Sequence, residues 1–400
     1  MTPSAVIQTF QQKALELTPQ IIAIRRDLHS HPELAFEEVR TAGIVANRLN
    51  ELGISHTTGI AKTGVVGIIE GETEGPVIAL RADMDALPIL EQNTDKPYCS
   101  QHPGIMHACG HDFHTASLLG TAEILQAHKH LLKGKIKLIF QPSEEKLPGG
   151  ASVMIKEGVL HNPEVSQILG QHVMPLIPAG KVGIRQGQYM ASTDEIYLTI
   201  KGKGGHGAQP HTTKDPVMIM AGLLVNLQQV VSRIADPRTP TVLTFGKIIA
   251  NGATNIIPEE VYLEGTFRTF NEEWRTEAHA RITEITNSWC KSMGATAELE
   301  IKRGYPVLYN DPALSIRTKE QLIAYLGEEN IIDLDLWTAA EDFAYYTQNI
   351  PGCFYRIGTR NEAKGIIHGL HTPKFEVDES ALSLSTGLMA WLAYQEGWSA

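Results

Sequence analysis

Met106-His107-Ala108-Cys109-Gly110-His111-Asp112-Phe113-His114-Thr115 packs three histidines, a cysteine and an aspartate into ten residues. A turn-prone run, Lys96 to Gly104, precedes it. An apolar run from Ala116 to Leu125, which reads as a helix, follows. Cysteine and histidine donors at a loop-to-helix junction suit a transition metal. The same residues also suit a plain helix start with His and Asp near its N-terminus. What flanks them decides between the two.

Upstream, residues 4–29 and Glu37 to Leu52 read as amphipathic helices. The Pro-broken turn between them, His29-Ser30-His31-Pro32, suits a helix C-terminus, where histidine meets the negative dipole end, as well as a site. Val65 to Glu70 and Val77 to Arg81 read as strands joined by a turn at Gly71 to Gly75. The second runs into Ala82-Asp83-Met84-Asp85. Downstream, a helix extends to about Lys129, and the apolar strand Lys135 to Phe140 ends at Gln141-Pro142-Ser143-Glu144-Glu145. A helix from Gly149 to Glu157 follows, then the short strand Ile168 to Val173, ending with His172. Strands alternating with helices, and polar groups at strand carboxyl ends, are the α/β arrangement of active sites.

From Gln188 the texture changes. Strands at Glu195 to Lys201, Thr241 to Ile249, Glu260 to Arg268 and Ala295 to Arg303 alternate with helices at Pro216 to Ala235 and Asn271 to Met293. That is β-α-β-β-α-β, the split ferredoxin-like order. The predicted organisation is a mixed-sheet α/β/α domain in two pieces, residues 1–187 and 304–400. An inserted ferredoxin-like domain occupies residues 188–303.

The chain has 400 residues, 42% hydrophobic and 20% charged, enough to bury a large core. A net charge of −11 argues against nucleic acid or an anionic membrane as partner. No signal-peptide pattern or membrane span is apparent, and a soluble cytoplasmic protein is expected. The four cysteines have no disulfide-framework spacing.

Cys109, His111, Glu145, His172 and His371 form the donor set. Five protein ligands exceed one tetrahedral site but suit two metals. Their wide separation along the chain suits a catalytic rather than a structural site. A thiolate among them argues against magnesium and calcium. Glu144, beside a ligand at a strand end, is the natural general base. Asp85 can orient a ligand histidine, and His114 can do the same or cap its helix. His206 lies among four glycines, where it can polarise a carbonyl or simply be exposed. Asn255 and Arg268 can hold a substrate carboxylate, though either alone also suits a structural role.

The motifs Arg25-Arg26-Asp27-Leu28-His29-Ser30-His31-Pro32-Glu33-Leu34, Leu80 to Pro88, Met106 to Thr115, Phe140 to Glu145, Gly204 to His211 and Ala340-Glu341-Asp342-Phe343 together resemble a known family. It is the di-metal amidohydrolase family of aminoacylase and carboxypeptidase G. More narrowly, the chain is similar to the subfamily of hippurate hydrolase, N-acetyl-diaminopimelate deacetylase and auxin-conjugate hydrolases. The resemblance implies that Cys109, His111, Glu145, His172 and His371 bind two divalent ions per subunit. Manganese or zinc is expected first, with cobalt or nickel admitted. It implies Glu144 as general base and acid. It has His206 polarise the scissile carbonyl, often from the partner subunit of a homodimer formed through the inserted domain. Asn255 and Arg268 would meet the amino-acid carboxylate. One departure shows: Lys146-Leu147-Pro148-Gly149-Gly150 stands where a more polar, Gly-rich run is the family habit.

The expected activity is hydrolysis of N-acyl-L-amino acids to a carboxylic acid and an amino acid, with the inserted domain as a lid. The alternatives are a dipeptidase or aminopeptidase on the same scaffold, a non-catalytic metal-dependent binding protein, and a slow enzyme that binds conjugates tightly.

Overall fold

Four parallel strands form the middle of an eight-stranded mixed sheet: Lys133–Gln141, Thr73–Asp83, Gln167–Pro178 and Gly352–Arg360, in that order. Their near-continuous burial over the apolar runs follows from cover on both faces. Gly64–Glu70 and Ser55–Ile60 extend the sheet antiparallel on one side; Val182–Ile184 and Ile331–Asp333 complete it on the other. This sheet belongs to the first of two compact units, which takes the chain up to Gly187, then Tyr309–Asp335 and the residues from Asp342 on. The computed structural model describes residues 2–398.

The strands flanking Gly71–Gly75 are not partners. Thr73–Asp83 crosses through the helix His111–Ala127 to Lys133–Gln141 as a parallel β-α-β unit. That crossover seats Lys133–Gln141 directly beside Thr73–Asp83, and Gly64–Glu70 pairs beyond it. Ser55–Ile60 has no apolar alternation and lies mostly exposed at the sheet edge, so periodicity does not announce it. The third central strand does not stop after His172 but runs on to Pro178, which pairs with Arg360.

The helices Pro3–Ser30, His111–Ala127 and Ala381–Trp398 pack on one another. The last two are buried almost all round, as helices with no polar face must be. His111–Ala127 starts from Gly110, whose φ is +85°. A Cβ there would come within 2.5 Å of Val173 Cγ2. Only glycine lets the start of this helix sit against the strand beside His172.

The second unit is Gln188–Leu308 with Leu336–Glu341. Its antiparallel sheet has the order Thr241–Ile249, Glu260–Thr269, Asp194–Lys201, Thr296–Arg303. The helices Pro216–Gln229 and Glu272–Ser292 pack on each other and on its strands. This is the ferredoxin-like arrangement. The unit reaches Leu308 because Val307 N–H donates to Glu272 at 2.8 Å. It takes in Leu336–Glu341 because Trp337 N–H donates to Tyr189 O at 3.0 Å. Its two ends are stitched side by side. Thr193 N–H donates to Tyr305 O at 3.0 Å and Gly304 N–H to Thr193 O at 2.9 Å. Buried Arg275 clamps both, donating to Thr193 O at 3.1 Å and Gly304 O at 3.0 Å while gripping Asp194.

The first helix of this unit continues past Gln229 as a π turn, Val230–Ile234. Contrary to the sequence expectation, Pro216–Ile234 is long and apolar enough, by length and composition, to cross a membrane. Ile219, Leu223, Leu227 and Val230 are buried, whereas Met218 and Val225 are 66% and 73% exposed. The helix therefore has an apolar outer face as well as an apolar inner one. The glycine-rich run around His206 holds a two-residue strand, Gly205–His206, paired with Ile256–Ile257.

Candidate metal centre

Strand register builds one end of the first unit's sheet into a site. Asp83 pairs with Gln141, and Arg81 with Gly170, two residues before His172. Asp83, the turn Ser143–Glu145 and His172 therefore emerge together. His111 opens its helix next to them. His371 is tied in by its own N–H, which donates to Ala108 O at 2.8 Å. It has φ of +59°, a left-handed conformation that a side chain larger than glycine adopts at a cost.

The donor atoms converge. Cys109 Sγ lies 3.4 Å from His172 Nε2, and His371 Nε2 lies 3.1 Å from Glu145 Oε1. Within 4.8 Å of one another stand the ligand atoms of Cys109, His111 and His172, those of Cys109, Glu145 and His371, and those of His111, Glu144 and Glu145. Cys109, His111 and His172 are buried, Glu145 nearly so, and the His371 side chain is half exposed.

These residues fit cations on three counts. The first is tautomer. His111 Nδ1 is 3.1 Å from Asp85 Oδ1 and His172 Nδ1 is 2.7 Å from Val173 O, so each Nδ1 carries the proton and each Nε2 lone pair faces the cluster. The second is satisfaction. His111 Nε2 is buried without a hydrogen-bond partner, a costly state unless something else meets it. The third is field. Burial and the carboxylates of Glu145, Glu144 and Asp83 push the Cys109 thiol well up. Burial opposes charge on His111, but Asp83 and Asp85 prevail and raise it to about 10. A field that holds extra protons is one a cation neutralises. His172 is driven the other way, by burial and then Arg356, toward the neutral imidazole a metal needs. The donor set of one thiol, three imidazoles and a carboxylate suits borderline transition metals rather than magnesium or calcium.

A second tier of side chains holds the donors. Asp85 accepts from Glu144 N–H and Glu145 N–H, both at 2.9 Å, besides orienting His111. His114 Nδ1 is 2.6 Å from Asp83, and its Nε2 accepts from Val173 N–H at 2.9 Å. It thus pins the strand that carries His172 and is not a helix cap. Asp342 accepts from Arg81 at 2.8 Å, from Gln141 at 2.8 Å and from Ala151 N–H at 3.0 Å. Its N–H is 3.4 Å from Glu144 Oε1. Residue type alone gave Asp342 and Arg81 no role.

The helix-end motif also resolves. Arg25 is fully buried and reaches Asp112 at 2.7 Å, Glu376 at 3.0 Å and Glu379 at 3.3 Å. His29 Nδ1 is 2.8 Å from Asp112 and its Nε2 3.3 Å from Glu91. Burial and Arg25 oppose charge on His29, but Asp112 and Glu91 prevail and raise it from 6.5 to about 9. A raised histidine stabilises the fold fully below its unfolded value, and that stability is lost as pH rises through the folded one. The melting temperature is therefore expected to fall between about pH 6.5 and 9. His29→Ala should flatten that limb of the profile in differential scanning calorimetry, and an unchanged slope would refute the assignment.

In the second unit, His206 is exposed and pairs with Ile256 across the short ribbon, with Gly207 N–H donating to Asn255 O at 2.8 Å. His206 and Asn255 are thus neighbours. His206 Nδ1 accepts from Ala208 N–H at 3.0 Å, which leaves the proton on Nε2, a donor. Arg268 lies on another strand, opposite Val242, and donates to Thr338 O at 3.0 Å.

Residues 79–394 match peptidase family M20/M25/M40. The chain belongs to that family. It is a hydrolase of amide bonds. It is 43% identical over 366 residues to N-acetyl-L-cysteine deacetylase of Bacillus subtilis (strain 168), covering 92% of this chain and 85% of that one. It is 40% identical over 377 residues to IAA-amino acid hydrolase ILR1-like 4 of Arabidopsis thaliana, covering 93% and 84%. Among solved structures, the YXEP protein of Bacillus subtilis, described as a dinuclear metal-binding peptidase of the M20 family, matches with a TM-score of 0.83. It is 36% identical to this chain, with 96% of this chain and 99% of that one covered. Five of the six motifs quoted above, and the five candidate donors, lie within the matched span.

Proposed function

We propose that this protein hydrolyses N-acyl-L-amino acids to a carboxylic acid and a free amino acid. The observation that carries the reading is Glu144 at the donor cluster, 6% exposed, on a turn whose N–H groups are held by Asp85. The acyl-amino-acid substrate is supported by relatives named for deacetylation and for IAA-amino acid hydrolysis over most of their length.

Cys109, His111, Glu145, His172 and His371 would hold two divalent ions, manganese or zinc foremost and cobalt or nickel admitted, which when bound supply Lewis acidity toward water and the amide carbonyl. Glu144 accepts the proton of the attacking water and returns it to the departing amine. Asp85 fixes the tautomer of His111 and the posture of Glu144. His206 donates from Nε2 to the oxyanion, and Asn255 and Arg268 receive the substrate carboxylate. Residues 1–187 and 304–400 act as the catalytic domain, and residues 188–303 as lid and dimerisation domain. A homodimer through the inserted domain is supported by the exposed Met218 and Val225 on the outer face of its first helix, since surfaces of that kind are normally covered. Four free thiols suit a reducing, cytoplasmic compartment.

The test strips the protein of metal, reloads it with manganese, zinc, cobalt or nickel, and offers N-acetyl-methionine, hippurate and indole-acetyl-alanine, with a free dipeptide as control. Release of amino acid from the acyl substrates only after reloading is the expected result. Cleavage of the dipeptide alone would replace the reading with a peptidase. Sedimentation on the same samples should show a dimer; a fully active monomer would remove the dimer from the proposal.

A further inference from the structure

The turn that presents Glu144 is held by a carboxylate that no role above includes. Ser143, Glu144 and Glu145 point three successive N–H groups at acids, and Ser143 has φ of +52°. Successive N–H groups around a left-handed residue form a concave nest that favours negative charge. Asp85 takes two of the three. The third, Ser143 N–H, donates to Glu38 Oε1 at 2.8 Å. Glu38 is fully buried. It occupies the N-cap position of the helix Val39–Glu51, and its side chain makes no cap hydrogen bond. Glutamate is not a favoured cap for its own helix. This one turns away, and Oε1 also accepts from Phe36 N–H at 2.9 Å while Oε2 accepts from the Thr63 hydroxyl at 2.6 Å. Phe36 too is left-handed, with φ of +63°. One carboxylate thus joins three segments far apart in the chain, two of them at strained residues, and the last of them is the turn that carries the base.

We infer that Glu38 is a positioning residue for hydrolysis, holding Ser143 in its left-handed conformation so that Glu144 is aimed at the reacting centre. The inference rests on Glu144 as the base. Glu38 does not meet substrate; it acts through the Ser143 amide. Burial pushes Glu38 up to about 7 against the pull of its donors, so a neutral acceptor in its place costs the turn little. Gln at position 38 can keep its amide oxygen on both N–H groups and turn its NH2 to the Thr63 oxygen. Leu fills the space and accepts nothing.

The experiment compares Glu38→Leu, Glu38→Gln and Glu144→Gln in the metal-loaded full chain. It reads kcat and KM on an N-acyl amino acid, metal content by elemental analysis, and melting temperature. Glu38→Leu is expected to lower kcat by about 10- to 100-fold, the usual effect of losing an outer-shell support, with KM and metal content unchanged. Glu38→Gln is expected to restore most of kcat. A loss of kcat that tracks loss of metal, a failure of Gln to rescue, or a wild-type kcat in Glu38→Leu would each overturn the inference. If Glu38→Leu does not fold, Thr63→Val carries the test: a several-fold fall in kcat at unchanged KM and metal content supports the inference, and an unchanged kcat overturns it. Glu144→Gln separates the two ideas. If it stays active, the base assignment falls and this inference with it. If it is inactive while Glu38→Leu is normal, only the role of Glu38 falls.

Discussion

Glu144→Gln is expected to fold, to load metal as the wild type does, and to lose kcat by about 10²- to 10⁴-fold, the range a positioned acid–base group supplies. The substitution keeps shape and leaves an oxygen for Asp342 N–H, which sits 3.4 Å from Glu144 Oε1. It removes only the ability to take and return a proton. The neighbouring donors do not replace it. Glu145 Oε1 belongs to the group with Cys109 and His371, and Asp85 is already occupied by His111 Nδ1 and two backbone N–H groups. Steady-state kinetics on the best acyl substrate, with metal content measured on the same sample, checks this. Retention of more than about a tenth of kcat would put the proton elsewhere.

The largest stability effect is expected at Arg25. Its guanidinium has no exposed surface and compensates Asp112, Glu376 and Glu379. Burial works against its charge, but these three carboxylates hold it protonated more firmly than usual, and Arg25 in turn, with His29, holds Asp112 far below the ordinary carboxylate range despite burial. Removing one partner of a buried ion pair leaves the others uncompensated, at a cost of about 3–5 kcal/mol. Glu379 keeps Arg26, at 2.7 Å, and Asp112 keeps His29, so Glu376 is the most exposed to the loss. Arg25→Met, which preserves much of the volume, should lower the melting temperature by roughly 5 °C. A drop no larger than that of an exposed ion pair would mean that water reaches the cluster in the folded protein.

The contrast between these residues shows what a linear reading reaches. Glu144, Glu145 and His172 attract notice because each is a polar group placed where an apolar run stops, and Cys109 and His111 because they crowd one short loop before an apolar run; both are local signals. The ferredoxin-like order of the inserted unit is legible for the same reason: its strands and helices differ in period and are separated by turn residues. Arg25 and Glu376 carry no such mark. Their partners are far along the chain, and the helix-end motif that includes Arg25 suits a cap as readily as a site. Glu38 is harder still, because Thr63 and Ser143, which its carboxylate meets, lie far along the chain. Ser55–Ile60 escapes for want of any alternation, and the pairing of Lys133–Gln141 between two strands that precede it cannot be read from a turn. The outward apolar face of Pro216–Ile234 is visible as hydropathy but not as a face, since only the packed sheet shows which side is left over.

The stitched ends of the second unit have a consequence for ancestry. Thr193 and Gly304 are joined by a hydrogen bond of 2.9 Å, and Arg275 ties both to Asp194. To the strands of the larger sheet, everything between those two residues therefore counts as a short connection, whatever its length. Loop-closure entropy grows only slowly with length, and with the ends already clasped it scarcely grows at all. A gene can acquire, enlarge or exchange such a cassette without redrawing the sheet that receives it. The inserted unit and the sheet that receives it are then free to diverge at separate rates.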